Sequence, residues 1–309
     1  MLRIRTVLFP TDREAWSPHA LAQARAFARA AFLAHHHGAV LHVLSVSSVA
    51  TKPVGVLLTA VELPPDELRA HADEALSAYP GLRVIQADLS APSPTTGILD
   101  YAGRVDADLI VMATHSRRGL DHLLLGSVAE SVVREAVCPV LTVGPMERLD
   151  EDRPLRLLVP ADFSKHARRA LAYAKELARL YEAELHVLHV VEAEPIYGRI
   201  EVRTLEDAVE AEVVETLEEF AHKAPGPVVP ITFHAAAGKP ADEVLAAAER
   251  LDAGLIVIAT HGRHGLQRIA LGSVAERVVQ RAPCPVFTVK AFGKLLLQPE
   301  ATAPSTADV

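Results

Sequence analysis

Two stretches of this 309-residue chain hold residues suited to binding an anion. One runs Asp252-Ala-Gly-Leu-Ile-Val-Ile-Ala-Thr-His-Gly-Arg-His-Gly-Leu and continues into Leu271-Gly-Ser-Val-Ala-Glu. Glycines such as Gly262, Gly265 and Gly272 let backbone N–H groups approach a negative charge closely. A helix opening at Gly272-Ser273, with Val274 in its first turn, adds about half a positive charge at its N-terminus. His261, Arg263 and His264 supply further donors beside the glycines. Together these make a phosphate cradle. The plainer reading is a tight turn, a satisfied structural histidine at 261 and solvated cations at 263 and 264.

The second stretch is a copy: Asp106-Ala-Asp-Leu-Ile-Val-Met-Ala-Thr-His-Ser-Arg-Arg-Gly-Leu, then Leu125-Gly-Ser-Val-Ala-Glu. Residues 106–144 and 252–290 agree without gaps at about 25 of 39 positions, which marks an internal repeat. Val7-Leu-Phe-Pro-Thr-Asp matches Leu157-Leu-Val-Pro-Ala-Asp, and Leu41-His-Val-Leu matches Leu185-His-Val-Leu. The period of about 146 residues is one whole domain, so the chain is a tandem duplication. The domains are expected at 1–145 and 154–292, joined by a charged linker. A tail over 293–309 is expected to be disordered at its end.

The elements that position these loops follow from periodicity. Short apolar runs such as Leu109–Ala113 and Leu255–Ala259 predict strands buried on both faces. They alternate with helical patterns, which predicts βαβ units and an open parallel sheet. Strands are expected at 3–10, 40–46, 82–87, 109–113 and 138–143, and again at 155–160, 184–191, 228–236, 255–259 and 284–290. A long loop is expected over 47–65. His35-His-His-Gly predicts a solvated helix end rather than a metal site, because consecutive helical residues face different ways. The glutamates of 206–219 predict a solvated helix face.

Composition narrows the function. A net charge of −8 provides no basic footprint for nucleic acid. No apolar run reaches the length of a membrane span, and Met1-Leu-Arg-Ile-Arg lacks an apolar leader; a cytoplasmic protein is expected. Cys138 and Cys284, at matching positions before Pro-Val, predict buried thiols and not a disulfide framework. Neither copy holds the lysine-bearing loop of the common NTPases, a nucleophile elbow or a metal-ligand spacing.

In open parallel sheets ligands sit beyond the carboxyl ends of the strands, where the strand order reverses. In the second copy those ends are Pro160-Ala161-Asp162, Val190 and Ile258-Ala259 leading to Gly262. A carboxylate there can accept from ribose hydroxyls, an apolar wall can hold a base, and the glycine loop can hold phosphates.

On these residues both copies resemble universal stress protein domains. The adenine-nucleotide-binding branch of that family carries Gly, two residues, Gly, nine residues, Gly-Ser/Thr. The second copy reads Ala259, two residues, Gly262, nine residues, Gly272-Ser273. The first reads Ala113, two residues, Ser116, nine residues, Gly126-Ser127, followed by Val128, and so departs twice where the second departs once. The resemblance implies the strand order 3-2-1-4-5. It places Asp162 at the nucleoside side, with Asp12 after Pro10-Thr11 as its counterpart. It places Gly262, Gly272 and Ser273 on the phosphates. The implied ligand is ATP or another adenine nucleotide, with Mg²⁺ as a possible companion, bound by a regulator that is not an enzyme. Family domains pair through their fifth strands, which implies a pseudo-dimer within this one chain; further homodimerisation is compatible. The competing readings are a slow ATPase switch and an interaction scaffold without nucleotide.

Overall fold

A computed structural model describes residues 1–11, 20–48, 56–57, 76–114, 126–144, 154–192, 207–261 and 271–297. The first half contributes β1 (Thr6–Thr11), β2 (Val40–Ser48), β3 (Val56–Leu57), β4 (Arg83–Ala91), β5 (Leu109–Ala113) and β6 (Val140–Val143). The second contributes β7 (Arg156–Pro160), β8 (Glu184–Glu192), β9 (Ile231–Gly238), β10 (Leu255–Ala259) and β11 (Val286–Val289). All join one sheet in the order β3-β4-β2-β1-β5-β6-β11-β10-β7-β8-β9. Counting within each half, and setting β3 aside, both halves read 3-2-1-4-5. The expected α/β fold is therefore the observed one, with the two five-stranded parallel units joined edge to edge in a single sheet.

The seam between the halves is antiparallel. Val286 pairs with Thr142, Phe287 with Leu141 and Thr288 with Val140. Thr142 Oγ1 donates to Val286 O at 3.2 Å and Thr288 Oγ1 donates to Val140 O at 3.0 Å. Each half thus gives the other the same bond, as a local twofold requires.

Helices cover both faces, which explains why the strands are apolar throughout rather than alternating. On one side lie α1 (Ala20–His36), α4 (Lys165–Tyr181) and α5 (Asp207–His222), packed on Val7, Phe9, Leu109, Val111, Phe287 and Val289. On the other lie α2 (Pro94–Arg104), α3 (Ser127–Glu135), α6 (Pro240–Arg250) and α7 (Ser273–Arg281), packed on Leu8, Ile110, Ile256 and Val286. Side-chain alternation along each strand decides which cluster a residue joins. Ser93 caps α2 by accepting from Thr96 N at 3.1 Å, with Pro94 in the first turn. Cys138 and Cys284 are both free and buried.

Several details differ from the sequence reading. The loop expected over 47–65 contains β3, which pairs antiparallel with Leu89 and Asp88 of β4. Helix α6 has no counterpart in the expectations above, although Pro240 repeats the helix-starting Pro94. The histidines ending α1 are not all solvated. His37 is half-buried near Glu176 and Arg179 of α4, and burial pushes its pKa down to about 4. The glutamates Glu210, Glu215, Glu218 and Glu219 of α5 do face solvent, while Leu217 and Phe220 face the core.

Residues after β11 strap the second half to the first. Lys290 Nζ donates to Val133 O of α3, and burial lowers its pKa to about 8. Lys294 N donates to Val137 O, and its ammonium meets Asp108 at 2.6 Å and Asp106 at 2.8 Å. Gly293 between them has φ +114°, and a Cβ there would stand 2.1 Å from Val137 O. Leu296 N donates to Tyr173 Oη, its carbonyl accepts from Arg3 N, and Leu297 bridges Leu2. Residues 293–297 are thus part of the folded body, and 298–309 lie outside the described residues. No described helix is long and apolar enough to cross a membrane.

Candidate functional site

In the second half β7 lies between β8 and β10. The chain moves from β7 outward to β8 and β9 and then returns to β10, so the strand order reverses between the carboxyl ends of β7 and β10. Pro160 stands opposite Leu188, and Ala161 N donates to Leu188 O, which keeps the β7 end against β8. Val190 closes the β8 end and is buried. Ile258 is buried and Ala259, paired with Val289, is half-buried. The predicted carboxylate, apolar wall and loop root therefore do converge on one edge.

Asp162 Oδ1 accepts from Ser164 N at 3.0 Å, an Asx turn that starts α4. Ser164 then caps the helix by accepting from Ala167 N at 3.1 Å. Between them Phe163 takes φ +62°, a sparsely populated conformation for an aromatic residue. Its ring lies 4.3 Å from that of His189 and 5.6 Å from that of Phe220. His189 Nδ1 donates to Ala161 O at 2.7 Å, which fixes its neutral tautomer. Neither Phe163 nor His189 is legible as a site residue, because only the β7–β8 pairing brings them to the same edge.

On the other side of the switch, Thr260 N donates to Val289 O, and Gly272 N donates to Thr260 O at 2.8 Å. That second bond docks the start of α7 on the β10 end. The predicted residues Ile258, Ala259, His261, Gly272, Ser273 and Val274 are thereby gathered. Thr260 accepts from Ala291 N at 3.4 Å and lies 3.1 Å from His261 Nδ1.

Gly272 is the N-cap of α7, and no side chain caps the helix. An α-helix leaves its first N–H groups without intrahelical partners, so the amides of Ser273 and Val274 remain donors at this edge. Gly126 caps α3 in the same bare manner in the first half. Glu276 in the first turn of α7 offsets part of the helix dipole, so the amides themselves are the asset. Gly262, Arg263, His264 and Gly265 lie outside the described residues.

The first half repeats this frame with less of it described. Pro10 is buried at the β1 end and Thr11 pairs with Ser45 of β2. Ala113 is buried beside Val143, Thr114 N donates to Val143 O, and Gly126-Ser127-Val128 opens α3. Asp12 and Ser116 lie outside the described residues. Among the described residues no group of three or more His, Cys, Asp or Glu could hold a metal ion.

Comparisons with known proteins agree with this geometry. The model of the universal stress protein family matches residues 3–144 and 155–290. Universal stress protein MJ0531 of Methanocaldococcus jannaschii is 36% identical over 138 residues, covering 44% of this chain and 81% of that protein. Universal stress protein Rv2005c of Mycobacterium tuberculosis is 28% identical over 223 residues, 71% of this chain and 73% of that one. Among solved structures, a putative universal stress protein from Pseudomonas aeruginosa superposes with TM-score 0.65 at 21% identity, covering 93% of each chain. One from Archaeoglobus fulgidus gives 0.59 at 24% identity, covering 92% of this chain and 98% of that one. With its model matched twice, end to end, the chain belongs to the universal stress protein family and carries two tandem copies of its domain.

Proposed function

We propose that this protein binds an adenine nucleotide at the carboxyl edge of the second half and acts as a nucleotide-dependent regulator rather than an enzyme. Asp162 and Val190 take the nucleoside, and Gly262, Gly272 and Ser273 take the phosphates. The observation that carries the reading is the bare N-terminus of α7. Its cap is a glycine with no side chain to satisfy the first amides, and Gly272 N is bonded to Thr260 O, which aims that turn at the strand-order reversal. An anion is the partner such a turn favours.

Calorimetric titration with ATP and with adenosine tests this. ATP is expected to bind more tightly than adenosine, because phosphate contacts with the α7 amides are lost in the nucleoside. Equal affinities remove the phosphate cradle, and no binding of either returns the chain to the scaffold reading. ADP accumulating over hours in the same sample would instead make the protein a slow ATPase.

A further inference from the structure

The two copies satisfy the same buried histidine in different ways. His42 of β2 and His186 of β8 occupy one position of the repeat. In the first half His42 Nδ1 meets Tyr101 Oη of α2 at 3.0 Å. The counterpart of Tyr101 on α6 is Ala247, counted from the matching Pro94 and Pro240. In the second half the partner comes from the edge strand instead, and His186 Nδ1 lies 3.0 Å from His234 Nε2 of β9. Leu188 pairs with His234 as Leu44 pairs with Ala87. A strand position that holds alanine in one copy therefore holds an imidazole in the other. The phenol keeps one protonation state in acid, and the second imidazole does not.

Two neutral imidazoles facing each other at this distance share one hydrogen. His186 is 8% exposed, and its Nε2 is buried without a hydrogen-bond partner. Glu184 Oε2, which accepts from Arg156 Nε at 3.0 Å, stands 3.8 Å from that nitrogen, beyond hydrogen-bond reach. A first added proton leaves the pair bonded, because the Nδ1–H of an imidazolium donates to the neutral Nε2. A second puts a hydrogen on both facing nitrogens and a positive charge on both rings, so the bond is lost. Among the described residues the charged groups facing the pair are Glu184 of β8, Arg156 of β7 and Arg250 at the end of α6. Burial is the first cause that holds both histidines below their ordinary range. Glu184 opposes it at His186 and Arg156 adds to it there, while His186 and Arg250 add to it at His234.

We propose that His186 and His234 form an acid-sensitive latch that holds the edge strand β9 on β8. Strand β9 ends the sheet order, and none of Ile231–Gly238 is fully buried. Its counterpart β4 carries buried Ala87, Leu89 and Ala91 and pairs with β3 on its other side. Apolar burial holds β9 less firmly than β4, so a side-chain bond between β8 and β9 matters more at this edge. The latch stays closed with none or one added proton and opens with two. The first half has no such device, since protonated His42 still donates to Tyr101 Oη.

Hydrogen exchange of the intact chain at about pH 7.5 and about pH 5 tests this, read as protection factors of residues 231–238 against 83–91. In wild type the protection of 231–238 is expected to fall selectively in acid, by up to about tenfold per pH unit for each proton taken up. His234→Gln places a neutral amide where Nε2 stands, and that amide accepts from charged His186. This variant is expected to keep the protection of 231–238 in acid. An equal selective fall in both proteins, or none in wild type, overturns the latch. Should His234→Gln not fold, the ring resonances of wild-type His186 and His234 followed with pH by NMR decide. Two linked steps, the second well below the first, sustain the latch. Independent titration of both rings at about 6.5 overturns it.

Discussion

Leu141 of β6 faces Phe287 of β11 across the antiparallel seam, and the two are the same position of the repeat (287 − 141 = 146). A pair of equivalent residues that face each other must lie on the local twofold axis. Phe287 is 1% exposed and its ring lies 5.9 Å from that of Tyr173. The axis is therefore filled by core side chains, and the halves share one continuous sheet.

That sharing predicts coupled stability. Phe287→Ala removes a fully buried aromatic residue, a change that costs about 3–5 kcal/mol. The single tryptophan of the chain, Trp16, belongs to the first half. Phe287→Ala, in the second half, is expected to lower the urea midpoint reported by Trp16 fluorescence. A midpoint unchanged from wild type would show that the halves unfold independently.

Asp162 separates shape from charge. Its Oδ1 accepts from Ser164 N, and asparagine can make the same turn bond while lacking the negative charge. Hydrogen bonds to charged groups contribute about 1.5–3 kcal/mol. Asp162→Asn is therefore expected to lose about tenfold or more in ATP affinity with little change in melting temperature. Wild-type affinity in this variant would remove Asp162 from the nucleoside site.

The two copies are expected to differ in affinity. Gly262 and Ser116, at matching places, both lie outside the described residues. Glycine accepts φ > 0 and close approach of a phosphate, whereas a residue held in a sparsely populated conformation costs about 1–3 kcal/mol. The second half should bind more tightly by about tenfold. Titration of Gly262→Ser and Ser116→Gly checks this. The expectation fails if Gly262→Ser binds as wild type does.

Acid should loosen the fold. Burial lowers the pKa of His37 to about 4, and it also lowers those of His42, His186 and His234. For each, the unfolded chain binds a proton that the folded chain refuses between the two pKa values. Stability is then intact above about pH 6.5 and falls as pH drops below it. For His37 the window runs from about 6.5 down to about 4. Its full shift corresponds to about 3 kcal/mol, which solvent reaching the half-buried ring reduces to about 1–2 kcal/mol. Thermal unfolding of wild type and His37→Gln at pH 7.5 and 5 measures it. The variant is expected to lose less stability on acidification, and equal losses would exclude His37 as a source.

Much of this was legible in the residues themselves. The apolar runs Leu109–Ala113 and Leu255–Ala259 read as strands covered on both faces, because they are short, β-branched and bounded by loop residues. The repetition of Gly-Ser-Val-Ala-Glu after each run marked two equivalent helix starts, and α3 and α7 begin there. The start of α6 is legible as well, since Pro240 repeats Pro94 at the period of the duplication.

Other features depended on the folded chain. His166 lies about 95 residues before His261 (261 − 166 = 95) and some 126 before Phe292 (292 − 166 = 126), so no local spacing announces their meeting. The strap likewise joins Lys294 to Asp108, whose repeat counterpart is Gly254 and offers no carboxylate. Sequence by itself determined the duplication, the strand order through family likeness, and the edge where a ligand would sit, because periodicity and glycine placement act locally. Only the tertiary structure decided how the copies are joined and that the rings of His166, His261 and Phe292 gather near the end of β10. Those depend on side chains brought together by strand pairing across the twofold axis and by α4 packing against β10, contacts that no stretch of the sequence encodes alone.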